Sequence, residues 1–363
     1  MHKIGLYIHV PFCSGKCPYC DFFSVAADSE TLDRYTEFTC EKLRSLRGDL
    51  SADTVYFGGG TPSLLGTERL CRILSAAEGS FGKPEECTIE VNPRSAMQLD
   101  FKSLASHGVN RVSMGLQSGS DEELSLLGRR HTVKEAAAAA DKIRSEGISN
   151  LSLDLMLGIS RQTFGSLSGS IDLCSELGAS HISAYMLTVE KGTPYYNQRS
   201  SMSFPDEDTV CELYEYAVNK LSEYGYSQYE ISNFSKPGLE SRHNLKYWRC
   251  EEYLGLGPAA HSFIDGRRFY YPRSLQAYYE DKQLLDGEGG GREEYIALAL
   301  RLKEGLRFGE YQKRFGEAVP GEMKAAAERL VKTGLLTVGD DYISLTTKGF
   351  LVSNSVIGEL LDF

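Results

Sequence analysis

The sequence predicts an α/β fold: a partial (β/α)6 barrel followed by a small carboxyl-terminal winged-helix-like domain. Three observations carry this. Short apolar runs alternate with amphipathic segments through the first half of the chain, the chemically unusual residues fall where those runs end, and beyond a glycine run at 287–291 the pattern changes to short helices and a hairpin. Strands that are apolar throughout, each followed by a helix with one apolar face, are what a parallel sheet covered by crossover helices requires.

The strands are expected at 4–10, 54–57, 87–91, 111–115, 151–156 and 181–187, with helices at 30–47, 67–79, 97–107, 133–146 and 164–177. The alanine run 136–140 is strong helix former. A long helix at 206–224 follows, then a mixed aromatic segment and a helix at 275–285. The glycines at 287–291 read as a linker. After them come helices near 293–303 and 322–333, a hairpin over 335–345 turning at Gly339, Asp340 and Asp341, and a last helix at 347–361. The division is a barrel core over 1–230, a connecting aromatic segment over 231–290 that packs on the barrel, and a small domain over 291–363. One large unit plus a smaller one suits 363 residues.

Composition excludes several classes. Hydrophobic residues make up 41% and charged residues 25%, an ordinary balance for a folded protein. The formal charge of -11 disfavours non-specific binding to nucleic acid or anionic lipid, and no basic recognition helix stands out in the terminal domain. The apolar run from Ile4 to Val10 is too short for a signal peptide and meets Pro11. No apolar stretch reaches the roughly 20 residues of a spanning helix. A cytoplasmic protein is expected, with peripheral membrane association left open.

The nine cysteines are unequal. Cys40, Cys71, Cys87, Cys174, Cys211 and Cys250 are isolated, as buried apolar thiols usually are. Cys13, Cys17 and Cys20 fall within eight positions beside glycine and proline, directly after the first strand. An odd total without an export signal argues for metal or redox chemistry over disulfides. Soft thiolates suit an iron-sulfur cluster, zinc or copper, and a structural zinc ion would take His9 as fourth ligand. Gly58, Gly59, Gly60, Thr61 and Pro62 follow the second strand, Glu90 and Asn92 close the third, Gln117 follows the fourth and Asp154 lies on the fifth. In parallel barrels these strand ends are where chemistry gathers.

The Cys-x-x-x-Cys-x-x-Cys spacing with an aromatic residue before its last cysteine, together with Gly-Gly-Gly-Thr-Pro, resembles the radical S-adenosylmethionine superfamily. The segment from Tyr7 to Cys13 is similar to its branch containing the oxygen-independent coproporphyrinogen III oxidases. The resemblance implies a 4Fe-4S cluster on Cys13, Cys17 and Cys20 with S-adenosylmethionine on the iron left open, and an electron donor if the cluster is redox-active. It places Gly59, Gly60 and Thr61 at the methionine amino and carboxylate groups, Glu90 near the amine and ribose, and Gln117 and Asp154 around the ribose. Arg129 would pair the carboxylate, while Tyr185 and Leu187 would line the adenine side and Tyr7 the cofactor pocket. Each has a plainer role open to it: Gly59, Gly60 and Thr61 as a strand-to-helix turn capped by Thr61, Tyr7, Tyr185 and Leu187 as packing, and Glu90, Gln117, Arg129 and Asp154 as surface or structural polarity. Relatives often carry proline near Ser160, a difference that touches loop stiffness.

Within that branch the oxidases add a fourth cysteine two positions after the third, and a substantial amino-terminal extension. Here Phe22 stands at that position and only 12 residues precede Cys13. Both departures resemble the HemW-type haem chaperones, as does His243-Asn244-Leu245-Lys246-Tyr247-Trp248, which fits the His-Asn-x-x-Tyr-Trp motif linked to haem binding. Imidazole ligates iron and aromatic faces pack on porphyrin. His243 is the candidate haem ligand; a structural histidine is the alternative and His261 the competitor. The resemblance implies haem transfer to an acceptor haem protein, such as a membrane respiratory protein, and homodimerisation as an option. A coproporphyrinogen oxidase, or a radical enzyme with another substrate, remain the rival expectations.

Overall fold

The computed structural model describes residues 2–46, 48 and 50–362. Six strands, β1 (His2–Val10), β2 (Leu50–Gly59), β3 (Glu86–Val91), β4 (Arg111–Gln117), β5 (Asn150–Leu157) and β6 (His181–Met186), pair in chain order, all parallel. Each agrees with an expected strand to within a few residues. Ile4, Leu6, Ile8 and Val10 on β1 are wholly buried, as a strand covered on both faces requires.

The crossover helices begin where side chains can cap them. Asp28 accepts from the backbone N–H of Thr31 at 2.9 Å and starts the helix Ser29–Ser45. Thr132 and Glu135 form a capping box on Val133–Ser145, and Thr163 and Ser166 on Phe164–Glu176. The alanine run turns Ala136, Ala139 and Ala140 inward, so that this helix packs closely on the sheet. Of the helix expected over 30–47, Arg47 lies outside the described residues. The helix expected over 97–107 is shorter, Phe101–Ser106, because Asp100 caps it afresh after a single turn at Pro93–Ala96.

Residues 231–290 supply five strands to the same sheet. After the helix Glu207–Glu223 and the short strand β7 (Ser227–Gln228), β8 (Asn233–Ser235) runs antiparallel beside β6. The helix Arg242–Trp248 then carries the chain back to β9 (Tyr253–Leu256), which joins β1 in parallel. The antiparallel strands β10 (His261–Ile264), β11 (Arg267–Tyr270) and β12 (Leu284–Glu288) complete a 12-stranded sheet.

Two expectations fail here. The helix at 275–285 ends at Tyr279, and Leu284–Glu288 forms the edge strand. The glycine run is not a linker: Gly287 lies within β12, and the Gly289 N–H donates to the Gly266 carbonyl at 2.8 Å. A Cβ on Gly289 would sit 2.9 Å from the Phe263 ring, so these glycines serve close packing rather than flexibility.

The last part holds β13 (Leu306–Arg307), β14 (Leu336–Val338) and β15 (Tyr342–Leu345) as a small antiparallel sheet flanked by short helices. The hairpin turns where expected. The helix Phe308–Phe315 was not anticipated, and the final one breaks at Val352 into Thr347–Leu351 and Ser353–Leu361. No helix of the described residues is long and apolar enough to cross a membrane.

Candidate functional site

A cavity of about 470 Å³ opens at the carboxyl ends of the parallel strands. Tyr56 of β2, Glu90 of β3, Ser113 of β4, Asp154 of β5 and Tyr185 of β6 all line it, so the sheet curves around this space as a partial barrel. Polar residues occupy alternate positions on these strands while the intervening ones are apolar. The period of two aims the polar set inward.

The loop after β1 brings Cys13, Cys17 and Cys20 to the cavity wall. It is pinned on several sides. Cys13 and Val25 close its base through backbone bonds of 3.1 Å (Cys13 N to Val25 O) and 2.8 Å (Val25 N to Pro11 O). The Cys20 N–H turns back on the Cys17 carbonyl at 3.0 Å, and Tyr195 donates its backbone N–H to Pro18 at 3.1 Å. All three thiols are partly exposed, whereas Cys40, Cys87, Cys174 and Cys250 are buried apart from them.

Among the described residues no three His, Cys, Asp or Glu side chains converge on the coordination sphere of a single ion. His9 takes no part in this wall: its ring lies against the Tyr7 hydroxyl at 3.1 Å and the Phe23 carbonyl at 3.3 Å, and burial pushes its pKa down to about 4. A zinc site completed by His9 therefore does not fit. Three soft thiols on one open loop do suit a cluster whose thiolates bind separate irons.

The glycine turn packs directly against the entry to this loop. Gly60 donates to Val10 at 2.9 Å and Thr61 to Phe12 at 2.8 Å, and a Cβ on Gly60 would lie 2.5 Å from the Phe12 carbonyl oxygen. Gly59 has φ 106° and donates to the Glu90 carboxylate at 3.2 Å. These N–H groups, expected to receive a carboxylate, are thus engaged within the protein. The Thr61 hydroxyl faces Cys13 Sγ at 3.8 Å.

Charge lies deeper in the cavity. Glu90 accepts from the Tyr56 hydroxyl at 2.8 Å, and burial raises its pKa to about 7. Asp154 accepts from Ser113 at 3.2 Å and is raised to about 6, again chiefly by burial. Arg111, at the start of β4, is 1% exposed, and its Nε and Nη1 meet no hydrogen-bond partner among the described residues. Sequence reasoning missed Arg111 and Ser113; the signal was there, since both fall on the inward register of a strand whose other residues are apolar.

Gln117 lines the cavity with φ 71°, where the β4–β5 register shifts. A non-glycine residue held in the left-handed region at a site mouth is strain that the surrounding fold imposes. Arg129 donates to Asn92 at 2.9 Å and to the Gly115 carbonyl at 2.8 Å, and approaches Tyr19 and Cys17. The structure therefore brings Cys13, Cys17, Cys20, Gly59, Gly60, Thr61, Glu90, Gln117, Arg129, Asp154 and Tyr185 to one wall.

Three expected residues stand elsewhere. Leu187 lies past the end of β6, bonded through its N–H to Leu157. Tyr7 lines a separate groove with His9, and His243 is buried with both ring nitrogens engaged, Nδ1 to Thr54 and Nε2 to the Tyr247 hydroxyl, each at 2.8 Å. Burial pushes the pKa of His243 down to about 3 and its ring stacks on Tyr56 at 5.2 Å. In this arrangement both of its nitrogens are held by neighbouring hydroxyls.

Comparison with known proteins gives these features a common origin. Residues 7–174 match the family described as "Radical SAM superfamily" and residues 292–352 that described as "HemN C-terminal domain". The chain is 33% identical to "Heme chaperone HemW" of Bacillus subtilis (strain 168), covering 98% of each chain, and 33% identical to that of Escherichia coli (strain K12), covering 98% of this chain and 97% of the other. Its fold resembles the solved coproporphyrinogen III oxidase (HemN) of Escherichia coli with a TM-score of 0.82 at 21% identity, covering 99% of this chain and 90% of that one. Likeness over nearly the whole length, at 33% identity to these relatives, places this chain in the HemW family of the radical SAM superfamily.

Proposed function

We propose that the chain is a haem chaperone, binding haem and passing it to an acceptor haem protein, with a 4Fe-4S cluster on Cys13, Cys17 and Cys20 and S-adenosylmethionine in the adjoining cavity. The observation that carries this reading is the joint presence, on one wall, of three thiols and fixed charges suited to an amino acid, in a chain similar along its length to haem chaperones. When bound, such a cluster supplies an open iron and one electron at a low potential.

The protein's own residues do the rest. Arg129, oriented by Asn92 and Gly115, presents a guanidinium for a carboxylate. Glu90, whose proton is held up to about pH 7, meets a cationic amine by releasing that proton, so an ammonium group and the carboxylate stabilise each other in the cavity. Asp154 and Ser113 offer paired hydrogen-bonding groups to a ribose. Phe22, 66% exposed at the position of the oxidases' fourth cysteine, puts an apolar ring at the mouth.

The deciding experiment is anaerobic cluster reconstitution followed by haem titration and a coproporphyrinogen assay on the same sample. Haem uptake of about one per chain without decarboxylated product supports the chaperone. Turnover of coproporphyrinogen without stable haem uptake overturns it in favour of the oxidase.

A further inference from the structure

Beside the thiol cavity lies a second concavity of about 430 Å³, between β1, the loop after Cys20 and the β9–β11 strands. Phe22 lines both. Tyr7, Tyr247, Tyr253 and Tyr270 give this groove flat aromatic walls, with Tyr247 and Tyr253 meeting edge to face at 4.6 Å. Walls of this kind suit a planar apolar ligand.

Three histidines stand at or behind the groove, and only one has a nitrogen to give. His9 is engaged at both ring nitrogens by Tyr7 and Phe23, and His243 by Thr54 and Tyr247. His261 is different: its side chain is 56% exposed, its ring stacks on Tyr270 at 5.0 Å, and its Nδ1 lies 3.8 Å from an Asp286 carboxylate oxygen. No hydrogen bond reaches Nε2 among the described residues. A carboxylate on the Nδ1 side favours the proton on that nitrogen and so leaves the Nε2 lone pair to face a metal. Arg273, exposed at the rim and paired with Asp21 at 3.3 Å, is placed for an anionic substituent.

Resting on the haem-chaperone reading above, we propose that haem docks in this groove with His261 Nε2 as the iron ligand and Arg273 at a propionate. His243 is then a positioning residue. Its bond to the Tyr247 hydroxyl, with its backbone N–H donated to Glu86 at 3.0 Å, fixes the helix Arg242–Trp248 and so sets one wall of the groove.

The test is titration of the full chain with ferric haem, read by the absorption spectrum. His261→Ala should lose the imidazole-ligated spectrum, and added imidazole should restore it. Asp286→Asn should weaken uptake about tenfold while keeping that spectrum. His243→Ala and Tyr247→Phe should both weaken uptake yet show the wild-type spectrum at saturating haem, which a ligand's removal cannot do. If His261→Ala binds haem with wild-type affinity and spectrum, the groove assignment is overturned while the chaperone reading stands. If the wild-type chain takes up no haem, the chaperone reading itself falls.

Discussion

The Arg129 guanidinium spans from Cys17 Sγ, at 3.6 Å, to the Gly115 carbonyl, at 2.8 Å, and so ties the thiol loop to the end of β4. One side chain thereby sets the distance between the proposed cluster and the proposed cofactor cavity. Lysine cannot reproduce this, because a point charge with three rotatable donors lacks the planar fork. Arg129→Lys should lower affinity for S-adenosylmethionine by about 10- to 100-fold, measured by anaerobic calorimetry on reconstituted protein. Wild-type affinity in that variant would show that the carboxylate is held elsewhere.

Cysteine variants separate ligand from filler. Cys20→Ser should abolish incorporation of about four irons per chain, while Cys40→Ser, far from the cavity and 2% exposed, should retain the iron and lose only stability, by about 1 kcal/mol. Iron and sulfide analysis after anaerobic reconstitution distinguishes the two. Retention of a full cluster in Cys20→Ser would remove the proposed ligand set.

The cavity carboxylates make stability depend on pH. Glu90 and Asp154 have folded pKa values of about 7 and about 6, above the usual carboxylate range, so the folded state binds protons that the unfolded chain has already released. Their contribution is fully present below the ordinary carboxylate pKa and is lost as pH rises to about 7. Unliganded protein should therefore be more stable near pH 5 than near pH 8, through these two groups, by about 1 to 3 kcal/mol. Glu90→Gln should flatten that dependence in urea unfolding series, and Arg111→Met should carry it to higher pH.

Gly60 leaves no room for a side chain. With a Cβ 2.5 Å from the Phe12 carbonyl oxygen, Gly60→Ala must push the glycine turn away from the thiol loop. The expected cost is about 1 to 3 kcal/mol in denaturant unfolding, accompanied by poorer cluster loading. Gly79→Ala, where nothing lies within 4 Å on the exposed face of the helix Gly66–Phe81, should be neutral or stabilising.

The parallel core was legible because its cause is local. Apolar runs alternating with capped amphipathic helices leave little choice of topology, and Asp28, Thr132 and Thr163 mark helix starts by side-chain chemistry alone. The thiols and Glu90 were legible as residue types out of place at strand ends. Strands β7 to β12 were not, because they are two to five residues long and their pairing depends on partners far along the chain, as when β9 docks on β1. Nor was the contrast between His243 and His261 legible: the motif points to the former, and only the folded contacts with Thr54 and Tyr247 show that both its nitrogens are hydrogen-bonded.

The order of the sheet separates the order of synthesis from the order of completion. β1, whose end leads into Cys13, gains its second neighbour only when β9 arrives, with Tyr253 to Leu256. A nascent chain halted at residue 250 holds every thiol of the loop and all six parallel strands, yet has β1 as an open edge. Maturation of the proposed iron site in such a chain would proceed on an unprotected border, so the ribosome must deliver the chain through Leu256 before that border is sealed.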